Sequence, residues 1–231
     1  MKYIPFLTFL VLALGLTVPG SALAGSAIFL EVVEAGETQC GAPHSPASLQ
    51  TSVGVDGGES YIVYLLAQAD LKEPFKGLAG MQMAITYPEG NGIDEGIEIT
   101  SWTLCGDLQF VQPGWPGAGY GNTITYRIKG AWNCRSADVV VGGFFEVQAH
   151  GHGFISIAPY GPTGLAMTAN CHIEEDIVET PVDKGAQGWV AFNTAGSVPE
   201  TGCNPLIADC SNAPTPVALK TWGAVKSLYA D

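Results

Sequence analysis

From Tyr61 to Pro88 the chain reads YIVYLLAQADLKEPFKGLAGMQMAITYP, and this stretch restricts the fold more than any other. Tyr61, Val63 and Leu65 alternate with Ile62, Tyr64 and Leu66, so an extended segment here is apolar on both faces. Met81, Met83, Ile85 and Tyr87 alternate with Gln82, Ala84 and Thr86, so the next segment is apolar on one face. Such a pair reads as a central strand and its neighbour in a sandwich of antiparallel sheets. Lys72, Glu73 and Lys76 then fall in the polar turn between them.

The same signature recurs along the chain. Ala27 to Val33, Ser48 to Val55, Ile97 to Leu104 and Leu108 to Val111 read as strands, as do Ile124 to Ile128, Val139 to Ala149 and Phe154 to Ala158. Gly164 to Cys171 and Trp189 to Phe192 complete the set. QPGWPGAGYGN, residues 112–122, carries two prolines and four glycines and can be neither helix nor regular strand. Gly142-Gly143 within a strand predicts a bulge or a close backbone approach. No helical period is sustained before the last dozen residues, so an all-β, antiparallel β-sandwich is expected rather than an α/β fold.

Export is legible at the N-terminus. Lys2, an apolar run of about 15 residues from Ile4 to Val18, and Ala22-Leu23-Ala24 form a signal peptide cut before Gly25. The run is too short for a comfortable membrane span, and no later run reaches the roughly 18 apolar residues a span needs. The mature chain is expected to be secreted, at the cell surface, in the extracellular space or in the periplasm. Its loss of Lys2 leaves 8 lysines and arginines against 22 acidic residues, a net charge of −14. Such a surface excludes nucleic acid and anionic lipid as partners.

Six cysteines, Cys40, Cys105, Cys134, Cys171, Cys203 and Cys210, are expected to form three disulfides in an exported chain. No CxxC spacing points to zinc. Cys203 and Cys210 flank a short loop and are expected to pair. Cys105 and Cys134 end two strands and are expected to pair across a glycine-rich excursion, leaving Cys40 for Cys171.

GLAGMQMAITYPEG, Gly77 to Gly90, resembles a segment of cohesin-like and related carbohydrate-binding-type β-sandwiches, where a glycine precedes an alternating strand ending in tyrosine and an acidic turn. DVVVGGFFEVQA, Asp138 to Ala149, resembles the later strand of those domains, and FISIAPY the strand after it. SWTLCGDLQF with GWPGAGYGN is similar to exported bacterial proteins with a sandwich core. The resemblance covers about residues 50–171 and implies an immunoglobulin- or cohesin-like jelly-roll sandwich. Its disulfides, the 112–122 insertion and the C-terminal extension depart from true cohesins, so no dockerin-binding residue is carried over.

His150 and His152 in AHGHG could share a metal from one strand face, but no third ligand is evident, and a solvated strand end is expected. Glu89, Asn91, Asp94, Glu95 and Glu98 offer oxygens as calcium loops do, without the D-x-D-x-D-G spacing, and read as an exposed turn. Glu174, Glu175, Asp176 and Glu179 read as a solvated loop or edge. No GxSxG elbow is present, and Ser197 lies in a loop without a base. No metal, no cofactor and no enzyme activity are expected.

The aromatic residues are the better candidates. Trp102, Trp115, Tyr120, Tyr126 and Trp132 cluster in sequence around one cysteine pair. Trp102 and Trp132 are expected in the core, whereas Trp115 and Tyr120, set between glycines and prolines, are the candidate binding residues, able to stack on sugars or anchor an interface. After the 25–211 domain, Asn212 to Val217 reads as a proline linker. Thr221 then caps a short amphipathic helix bearing Trp222, Val225, Leu228 and Tyr229, either docked on its own domain or serving as a recognition tag. The expected function is that of an exported, non-catalytic structural or interaction protein, with a protein or glycan partner at the cell surface, self-association included. The alternative is a carbohydrate-binding module.

Overall fold

The computed structural model describes residues 25–36, 40–70, 74–88, 96–128, 131–132, 134–172, 176–197 and 200–214. The expected signal peptide, the expected turns at Lys72 and Glu73 and at 89–95, Glu174, Glu175 and the expected C-terminal helix lie outside them, as does the side chain of Trp132.

Fourteen strands are described: β1 (Ala27–Glu34), β2 (Ser52–Val55), β3 (Glu59–Gln68), β4 (Phe75–Thr86), β5 (Ile97–Leu104), β6 (Leu108–Val111), β7 (Gly121–Thr125), β8 (Arg127–Ile128), β9 (Ala131–Trp132), β10 (Val140–Ala149), β11 (Gly153–Ala158), β12 (Met167–His172), β13 (Ile177–Pro181) and β14 (Trp189–Thr194). The smaller sheet has the order β1-β3-β10-β5 and is antiparallel throughout. The larger runs β13-β12-β4-β11-β14-β2, with β7 and then β6 on the other edge of β4. The expected antiparallel sandwich is the architecture found, with one parallel exception where β14 meets β2.

Between the sheets lies the core. Leu30, Leu65 and Phe145 from the smaller sheet face Met81, Met83, Ile85, Ile155 and Phe192 from the larger, all 2% exposed or less. At about 25 cal/mol per Å² of apolar surface removed from water, each side chain of this size contributes roughly 2 kcal/mol, the main force joining the two layers.

Two expectations about the organising stretch are corrected. β3 and β4 are not neighbours: β3 pairs with β1 and β10, β4 with β12, β11 and β7, so the connection crosses between sheets. Lys76 lies within β4, which begins at Phe75. The apolar character of β3 on both faces has a local cause. Tyr61 packs inward on Phe192, ring centroids 5.5 Å apart, while Tyr64 on the opposite face is covered by His44, 4.6 Å away. A covering loop buries the outer face that a second layer would otherwise have to bury.

That cover explains the disulfides. Cys40 pairs with Cys105, holding the covering loop to the end of β5, and Cys134 pairs with Cys171. The expected Cys105–Cys134 and Cys40–Cys171 pairs are therefore wrong, while Cys203–Cys210 is as expected. Leu78 of β4 bridges to Arg135 and pairs with Asn170, which draws Cys134 to Cys171 in the larger sheet and away from Cys105 in the smaller. The register of β10 slips between Val141 and Gly143, placing the expected bulge at the double glycine.

Candidate functional site

Directly opposed residues on neighbouring strands share a sheet face. One row on the outer face of the larger sheet runs Pro181, Met167, Gln82, Thr123, Phe110, across β13, β12, β4, β7 and β6. The next runs Glu179, Ala169, Gly80, Thr125, Leu108. Small residues in the middle of the second row leave a hollow of about 460 Å³ floored by Gly80 and Ala169 and walled by Gln82, Thr123, Thr125, Met167 and Ile177. Gln82 fixes its polar side, accepting from the Thr123 hydroxyl and donating to the Thr163 hydroxyl at 2.9 Å. Its rim at β6 is apolar, with Leu108 46% and Phe110 58% exposed.

Sequence reasoning missed this groove. The signal available was the polar and small set Gly80, Gln82, Thr123 and Thr125 opposite the apolar alternation, but only strand pairing brings the three segments together.

The aromatic candidates separate. Trp115 is half-buried and packs against the core, edge-on to Trp102 at 5.3 Å and tilted over Phe145 at 5.5 Å. Its indole nitrogen is buried without a hydrogen-bond partner among the described residues. Trp102 is also partly buried, tilted over Phe145 at 4.6 Å with Nε1 donating to Gln109 Oε1 at 2.9 Å. Tyr120 is 44% exposed, and its ring covers Gly114, where an added Cβ would stand 2.6 Å from Cζ. So Trp115 is spent on packing, and Tyr120 is the one of the pair that presents a ring to solvent. Tyr126 is fully buried and donates its hydroxyl to the Val141 carbonyl at 2.8 Å. Burial pushes its pKa well above the ordinary tyrosine value, against a smaller opposing pull from Arg135.

The histidines of AHGHG lie beyond the end of β10, in a turn rather than on a strand. They face different carboxylates: His150 lies 3.7 Å from Glu98 and His152 3.8 Å from Glu200. Among the described residues, no group of three or more histidine, cysteine or acidic side chains is placed to hold a metal. Asp176 and Glu179 flank and lie on the edge strand β13.

Two further clusters carry titratable groups. The Tyr61 hydroxyl lies 2.6 Å from both the Gly54 carbonyl and Glu59, beside a hollow of about 700 Å³ that Glu34 and Asp56 also line. Burial first, then the Glu59 contact, raises its pKa. His44 Nδ1 contacts Glu31 in a pair that is almost wholly buried, and His44 Nε2 has no partner among the described residues. No helix among the described residues is long and apolar enough to cross a membrane.

No family model matches the chain, and no curated protein does. Solved structures do. A cohesin module from a Clostridium perfringens family 33 glycoside hydrolase is 8% identical with a TM-score of 0.40, covering 73% of this chain and 98% of that one. The sixth cohesin of Acetivibrio cellulolyticus scaffoldin B, solved with a Cel5 dockerin, is 12% identical with a TM-score of 0.41, covering 74% and 99%. A type II cohesin domain from the Acetivibrio cellulolyticus cellulosome is 13% identical with a TM-score of 0.38, covering 78% and 95%. In strand layout this chain is similar to cohesin modules.

Proposed function

We propose that this chain is an exported, non-catalytic interaction module that binds another protein through the outer face of its larger sheet. The groove across β12, β4 and β7 carries this reading: a floor of Gly80 and Ala169, hydrogen-bonding groups at Gln82 and Thr123, and an apolar rim at Leu108 and Phe110. Small floor, hydrogen-bonded Gln82 and Thr123, and exposed apolar rim suit a protein surface seated on a sheet. Among the described residues, Glu179 is the titratable side chain that lines it.

Three closed disulfides favour an oxidising compartment, which agrees with residues 1–24 as a signal peptide. Residues 25–211 form the interaction domain in this reading, and 212–231 a linker and tail. The test is binding to the envelope or extracellular protein isolated by cross-linking from a photoreactive group at Thr123. Met167→Glu and Ala169→Glu should each weaken that complex about tenfold or more, the loss of a central contact. Unchanged affinity in both variants would remove the groove from the interface. A glycan partner would rest on Tyr120 alone, and glycan-array binding abolished by Tyr120→Ala and untouched by Ala169→Glu would favour it instead.

A further inference from the structure

We infer that β6 is a self-association edge, through which two copies of this chain pair antiparallel to continue the larger sheet from one molecule into the next. The inference goes beyond the groove reading, because it concerns the backbone edge of the sheet and not its face.

Among the described residues β6 is paired on one side, to β7. Exposed edges are templates for further strands unless charge, proline, a bulge or a cover blunts them. Of the other outer strands of the larger sheet, β13 is blunted by Glu179 and ends in Pro181, while β2, four residues long like β6, has Gly54 within it. β6, Leu-Gln-Phe-Val, has neither a charge nor a proline. Leu108, Phe110 and Val111 are 46%, 58% and 48% exposed, so three of its four side chains leave large apolar surface in water.

A second copy is the occupant that fits. The chain carries a net charge of −13, and two such molecules can approach only where the local field is weak. β6 is such a place, since the acid at its entrance, Asp107, is met by Arg135 at 3.8 Å. Symmetry then selects the register. A two-fold axis perpendicular to the sheet keeps each residue on its own face, so the axis passes through a residue and not between two. Centred on Gln109, it sets Leu108 of each copy opposite Phe110 of the other, an apolar pair formed twice on the outer face. A four-residue edge buries little area, so the pair is a weak and reversible one.

Sedimentation equilibrium of the full chain, purified from an exporting host, tests this. A reversible dimer is expected at concentrations up to ~1 mM, the range of weak pairs. It should tighten as salt is raised, because screening relieves repulsion between like-charged copies. Phe110→Lys should weaken it tenfold or more without moving the thermal midpoint, while Leu165→Lys, at another exposed apolar site, should leave it unchanged. Amide exchange at 108–111 should slow with concentration. A strict monomer overturns the proposal, as does a dimer indifferent to Phe110→Lys. A third outcome also overturns it: if Trp222→Ser with Leu228→Ser abolishes the dimer or tightens it tenfold, the C-terminal segment is the contact or the occupant of the edge.

Discussion

Tyr126 joins the layers through a single hydroxyl, which reaches the Val141 carbonyl of β10 from just beyond β7. Tyr126→Phe should cost about 1 kcal/mol, the net worth of one buried hydrogen bond. The same residue sets an alkaline limit. Burial raises its pKa in the fold, so the neutral form is favoured there. Its contribution is complete below the unfolded value of about 10 and is lost as the pH climbs toward the folded one, at about 1.4 kcal/mol per pH unit. Urea titrations between pH 9 and 11, roughly the onset of tyrosine ionisation, should show a shallower decline for Tyr126→Phe than for the parent. Parallel declines would mean that another group governs. Local sequence marked Tyr126 as one of an aromatic cluster. It set Tyr120 apart by its glycine neighbours but could not show that Tyr126 is buried, because what covers that ring comes from distant strands.

The double glycine of β10 is the element-scale counterpart. A Cβ at Gly143 would lie 2.3 Å from Trp102 Cη2 and 2.4 Å from the Thr103 carbonyl oxygen, and at Gly142 2.9 Å from Met81 Sδ. The Trp102 ring can shift, but the Thr103 backbone is held by the β5 ladder. Gly143→Ala should therefore destabilise by about 1–3 kcal/mol, the usual cost of overpacking. Denaturant midpoints measure it, and a variant as stable as the parent would show that the strand has room. The bulge was legible from Gly-Gly inside an apolar run. β13 was not, since its exposed Val178, Glu179 and Pro181 lack the alternation that marks a half-buried strand.

At the scale of the molecule, the disulfides divide labour between the layers. Cys40–Cys105 closes a span of 65 residues and Cys203–Cys210 one of 7. Loop-closure entropy assigns them roughly 4 and 2 kcal/mol. Paired serine replacements should lower the thermal midpoint more for the first than for the second, and the reverse order would place the stabilisation elsewhere. Non-reducing peptide mapping should recover Cys40 with Cys105 and Cys134 with Cys171. The sequence alone determined that this chain is built of β-strands tied by cystines, since period-two alternation and glycine or proline punctuation are properties of adjacent residues. Only the tertiary structure decided which strands share a sheet, which cysteines meet and where the groove opens. Those depend on pairings between segments far apart in the chain, and Leu78 fits between Arg135 and Asn170 only after the sheets have closed on their core.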